Sequence, residues 1–117
     1  MKAGGRMRSL TILILALGAA APAAGKQSES LRAAAELTGL TSGMAAACNL
    51  NARPVLHAFR DLMDRKHVQG PQRKQLVGLV SQSHDRGFAT QHRLGAMSCQ
   101  EVKGQMRSTI RRLQRAK

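Results

Sequence analysis

The sequence predicts a small all-α domain, four helices arranged as helical hairpins and closed by one disulfide. Three observations carry that prediction. Apolar residues recur at three- and four-residue intervals, and nowhere does a two-residue strand period persist. Turn and cap residues cut the chain into helix-length pieces near 51–54, 67–71 and 95–98. The only two cysteines, Cys48 and Cys99, fall at a predicted helix end and a predicted helix start.

Ahead of the domain the composition obeys a different logic. Lys2, Arg6 and Arg8 form a positive leader, residues 10–17 are an apolar run, and residues 19–25 are small. Ala21 and Ala23, or Ala23 and Gly25, supply a cleavage signal of the Ala-x-Ala type. The apolar run is shorter than the about 20 residues a membrane-spanning helix needs. Residues 1–25 therefore read as a removed secretory signal peptide. Residues 26–117 read as a single domain that works in the periplasm, with no transmembrane segment in the mature protein.

Of the 19 basic and six acidic residues, three basic ones lie in the leader, which leaves the domain an excess of ten positive charges. In the cytosol such an excess would suggest nucleic acid. Outside the cytoplasm nucleic acid is an unlikely partner. The expected counter-charges there are anionic lipid headgroups, lipopolysaccharide phosphates, acidic polymers or an acidic protein. Two cysteines in an exported chain of this size predict one structural bridge, Cys48–Cys99. Closing a loop of that length stabilises a fold by about 4 kcal/mol in the chain-entropy model. The contribution matters because Phe59 and Phe88 are the only aromatic residues, so Leu, Val, Met and Ala must build most of the core. No C-x-x-C pattern points to redox catalysis.

The first helix is expected from about 28 or 30 to 50, capped by Ser28 or Ser30, with Leu31, Leu37, Leu40, Met44 and Cys48 on its buried side. Gly39, Gly43 and Ala47 make a four-residue stripe of small residues along which another backbone can come close, and a break near Thr41-Ser42 is an alternative. Asn51-Ala52-Arg53-Pro54 reads as a turn and a new start, Pro54 being tolerated in a first helical turn. The second helix runs to about 66 and buries Val55 or Leu56, Phe59, Leu62 and Met63, with Asp61–Arg65 and Arg60–Asp64 as surface pairs. A third helix over about 71–94 carries the row Leu76, Val80, His84 and Phe88, widened by Val77 and Leu79. Phe59 and Phe88 are expected to be the largest buried side chains, and Gly87 to mark a close helix crossing. Ser98-Cys99-Gln100-Glu101 matches a capping box and opens the last helix, whose apolar face is Val102, Met106, Ile110 and Leu113.

From Cys48 to Leu113 this layout resembles an uncharacterised family of small two-cysteine periplasmic helical proteins of proteobacteria. The resemblance rests on Cys48, Phe59-Arg60-Asp61-Leu62-Met63, Gln75-Leu76-Val77, Arg86-Gly87-Phe88 and Cys99. It implies a fold rather than an activity, and the tryptophan and tyrosine such chains tend to carry are missing here. Two cysteines and four helices also look like the acid-stress periplasmic chaperones, though without a motif to align.

Candidate chemistry is sparse. His57, Asp61 and Asp64 lie along one helix and offer at most a two- or three-point metal patch, the basis of a metal-responsive sensor reading. His84 and His92 stand two turns apart, too far to share an ion, and His67 falls in a connection. No metal site and no cofactor is expected, and no nucleophile–base arrangement or phosphate loop argues for an enzyme. One constellation stands out. Lys103, Arg107, Arg111, Arg112 and Arg115 spread over the side of the last helix opposite its apolar face, and no acid follows Glu101. The expected function is non-catalytic binding of an anionic envelope component or acidic protein through this face. The alternatives are an acid- or stress-responsive chaperone and the metal-responsive sensor.

Overall fold

The computed structural model describes residues 22–117, with side chains from Glu29 onward; the proposed signal peptide lies almost wholly outside the described residues. Four helices follow in order: α1 (Pro22–Ala47), α2 (Arg53–Arg65), α3 (Gly70–Leu94) and α4 (Cys99–Arg115). Leu31–Lys117 forms one compact unit and is described by itself. No strand occurs among the described residues.

The helix ends follow from local chemistry. After α1 the chain turns at Asn49, whose φ of 58° lies in the left-handed region an asparagine tolerates. The Leu50 N–H donates to Ala45 O at 2.8 Å and the Asn49 N–H to Ala46 O at 3.0 Å, the paired bonds of a Schellman turn. His67 (φ 56°) ends α2 in the same way, with Val68 N–H on Met63 O at 2.9 Å. Gly95 ends α3 in the left-handed conformation that glycine adopts without Cβ strain. Ser98 and Glu101 form the expected capping box: Ser98 Oγ accepts from Glu101 N–H at 3.0 Å, and Glu101 Oε1 accepts from Ser98 N–H at 2.8 Å. The start of α1 differs from expectation. The helix begins at Pro22, so Ser28 and Ser30 are interior positions rather than caps, and it passes Thr41-Ser42 without a break.

Two kinds of interior hold the unit together. At one end Leu31 and Ala35 of α1, Phe59, Leu62 and Met63 of α2, Val68, Leu76 of α3 and Leu113 of α4 form a hydrophobic cluster. Of the two candidates at the start of α2, Val55 is buried and Leu56 is exposed. Helix α2 lies along α4, and their C-terminal ends are joined by Arg65. Its guanidinium donates to Leu113 O at 2.8 Å and Ala116 O at 3.3 Å, placing a cation on the carbonyls that α4 leaves unpaired at its negative end. That overturns the Asp61–Arg65 pair. Asp61 instead lies 3.9 Å from Arg60, and Asp64 bridges from α2 to Arg73 of α3 at 2.8 Å.

The other interior is small and polar. Thr38, Gly39, Thr41, Ser42, Gly43 and Ala45 of α1 are buried, whereas the expected Leu37, Leu40, Met44 and Cys48 are only half-buried. Helix α1 meets α3 backbone to backbone. A Cβ at Gly39 would sit 2.5 Å from the Ser83 Cβ, one at Gly43 2.7 Å from the Phe88 nitrogen, and one at Gly87 2.9 Å from the Leu40 Cα. The sequence suggested a close backbone approach at the glycine stripe and a close crossing at Gly87; the structure shows that the two meet each other. Among the hydroxyls of this seam, Thr41 is paired with Thr109 of α4 at 3.1 Å and Ser42 with Gly39 O at 3.0 Å, whereas the buried Thr38 Oγ1 has no hydrogen-bond partner. The Cys48–Cys99 disulfide closes the seam, with Cα atoms 5.7 Å apart.

Phe88 departs from expectation: it is 39% exposed. The reason is geometric. Four-residue steps overshoot a helical turn by about 40° each, so a row begun at Leu76 has drifted about 120° by Phe88. The buried line of α3 corrects the drift with a three-residue step, running through Leu76, Ser83, Gly87 and Gln91. Phe88 presents its backbone to Gly43 and its ring to the flank, where it stacks on His92 at 5.4 Å.

Candidate functional site

Helix α4 owes its orientation to both ends and one face. The capping box and the Cys99 bridge fix its start, Arg65 fixes its finish, and Val102, Thr109 and Leu113 are buried. Met106 and Ile110 are half-buried beside them. The apolar side is thereby committed to the core, and the opposite side is directed outward. Lys103, Arg107, Arg111, Arg112 and Arg115 are all exposed. The ion pairs formed among the described residues join Arg60 to Asp61, Arg73 to Asp64 and His84 to Asp85, so none occupies a cation of α4. Lys103, Arg107, Arg111 and Arg115 recur every four residues, about 6 Å apart along the axis. A line of this kind on a convex helix matches an extended array of negative charge better than a single small anion.

The histidines are dispersed. His57 and His67 are exposed, His92 lies under the Phe88 ring, and half-buried His84 has its Nδ1 3.7 Å from the Asp85 carboxylate. The imidazole bends toward an Asp85 whose side chain is almost fully in solvent, which makes a surface contact. Among the described residues no three His, Cys, Asp or Glu side chains gather closely enough to hold a metal ion, and His57, Asp61 and Asp64 do not form such a group.

Gln91 was missed in the sequence. Its buried amide clamps the α3–α4 connection, Nε2 donating to Met97 O while the Met97 N–H donates to Oε1 at 3.2 Å. Nε2 also lies 3.8 Å from Cys48 Sγ, so the clamp and the disulfide brace the same corner. A polar residue between two turn signals gives no periodic signal; only its position four residues beyond Gly87, on the row through Ser83 and Gly87, could have revealed it. Among the described residues no helix is long and apolar enough to cross a membrane. Compared with protein-family models, curated proteins and solved structures, the chain matches none of them.

Proposed function

We propose that this chain is an exported, non-catalytic binding protein of the bacterial envelope. Its α4 basic face engages an anionic envelope component or an acidic protein partner. The observation that carries the reading is the division of α4: one side packed into the core, and five exposed cations on the other without carboxylate partners. The disulfide suits an oxidising compartment, and the leader at residues 1–25 supplies the route to the periplasm.

The test replaces Arg107, Arg111 and Arg115 with Gln, which holds helix propensity nearly constant while removing three charges. Binding to an immobilised polyanion is then measured across a salt series. The fold and Tm should hold, while affinity falls and its salt dependence flattens. Wild-type binding by the triple variant would defeat the reading and favour a stress chaperone. Export is tested separately by deleting residues 10–17, which should leave an unprocessed chain in the cytoplasm.

A further inference from the structure

We infer that the cation row of α4 is a track for a flexible linear phosphate polymer. The inference rests on the α4 reading proposed above and names its ligand. Val102 stands at the centre of the buried side of α4. Counted around the helix from there, Lys103, Arg107, Arg111 and Arg115 lie at about 100°, 140°, 180° and 220°. The row therefore climbs about 18 Å along the axis while turning through about 120°. Arg112 lies off it, about 60° beyond Arg115. No other element covers this side: a Cβ at Gly104, which falls between Arg111 and Arg115 around the helix, would meet only Arg107 Nη2, 3.9 Å away. The carboxylates nearest α4 are turned elsewhere. Glu101 accepts from the Ser98 N–H and lies about 160° around the helix from Lys103. Asp61 and Asp64 of the adjacent α2 pair with Arg60 and Arg73.

The make-up and shape of the row select the occupant. The large apolar residues exposed among the described residues, Leu56, Val77, Phe88 and Leu94, belong to α2 and α3, so α4 offers charge without an apolar anchor. A protein interface draws most of its affinity from a few anchors fully desolvated at its centre, and these cations have no apolar neighbours to exclude water around them. A helix that lies in a bilayer needs a free apolar face, and that of α4 is packed inside the domain. Nor does α4 carry an aromatic ring on which a nucleobase could stack. What remains is charge against charge, which a polymer multiplies link by link through release of its counterions. The twist narrows the choice further. A stiff chain, such as a polymer of sugar-ring carboxylates, keeps a straight line and meets only part of a row that turns through about 120°. A phosphate chain rotates about its P–O bonds, so it follows the row and offers at each link oxygens matched to the guanidinium fork.

Inorganic polyphosphate is the probe. Chains of about 15 phosphates should bind at least about tenfold tighter than tripolyphosphate at equal phosphate concentration, because one chain engages successive cations. The logarithm of that affinity should fall against the logarithm of salt concentration with a slope of roughly −3, about 0.7 for each cation of the row. A relocated variant separates the row from net charge. Arg107→Gln/Arg111→Gln combined with Gln75→Arg/Gln82→Arg, both exposed on α3, keeps the total charge unchanged. Its circular dichroism and Tm should match the parent, while affinity for long polyphosphate falls at least about tenfold and the gain with chain length disappears. The triple Gln variant, unaltered on α3, should lose the same gain. Polyglutamate, oligothymidylate and vesicles rich in phosphatidylglycerol, each at the same concentration of anionic groups, should bind at least about tenfold more weakly than long polyphosphate. Undiminished polyphosphate binding by the relocated variant overturns both the inference and the α4 reading. Binding that is lost in that variant overturns the inference alone if it shows no gain with chain length. The same holds if it is as tight for polyglutamate, oligothymidylate or vesicles.

Discussion

At one end of the domain Phe59, Leu62, Met63, Leu76 and Leu113 are buried against one another; at the other, Thr41, Ser42, Gly43, Ser83, Gly87 and Thr109 are buried just as fully. The first region draws its stability from apolar area removed from water, which scales with side-chain size. In the second there is little such area to remove. Close backbone approach gives it dense van der Waals contact, hydrogen bonds satisfy the Thr41, Ser42 and Thr109 hydroxyls though not that of Thr38, and the disulfide restricts the unfolded chain. The difference teaches that burial alone does not tell how a region is held. A large side chain is needed in one half and forbidden in the other.

Adding volume to the small half should break the domain most severely. Gly43→Val places branched carbon where the backbone of His84 and Phe88 already lies, and a backbone cannot rotate aside as a side-chain tip can. The variant is expected to lose its cooperative thermal transition, monitored by circular dichroism; a normal transition would mean that the helices can separate cheaply. Opening the disulfide comes next. The Cys48→Ala/Cys99→Ala chain should be about 4 kcal/mol less stable in urea titration, given a separation of 51 residues. A much smaller loss would show that the glycine seam holds without its clasp.

The two phenylalanines sharpen the contrast. Phe59→Ala should cost about 3–4 kcal/mol by the same titration, since Phe59 is enclosed by the hydrophobic cluster. Phe88→Ala should cost less than about 1 kcal/mol, because its ring lies outside both interiors. Comparable losses at the two sites would place the Phe88 ring in the core after all. The smallest effect has the opposite sign. Gly78, also on α3, has open space where a Cβ would be, so Gly78→Ala should stabilise by up to about 1 kcal/mol through helix propensity. Destabilisation there would mean that α3 has a neighbour on that side.

The helix count, the turns, the capping box and the cysteine pair were legible because each depends on residues within a turn or two, or on the only partner on offer. Ser98 and Glu101 satisfy each other across three positions wherever the helix packs. The basic character of α4 was legible for the same reason, since periodicity separates its cations from Val102 and Leu113. The start of α1 was not: Ser28 and Ser30 are good caps by type, yet the helical segment already runs through them from Pro22. Nor did sequence reveal which side of α1 would be buried, because Leu37, Leu40 and Met44 outrank Thr38, Ser42 and Gly43 on any apolar scale. That choice was made by α3, whose Ser83 and Gly87 allow a backbone approach that large side chains would prevent, and the same approach turned Phe88 outward. Local spacing and chemistry therefore determined the helices, their ends apart from the start of α1, and the charged face. Contact between helices distant in the chain decided which faces are interior, because close packing depends on the shapes of both partners and one helix's periodicity describes only its own.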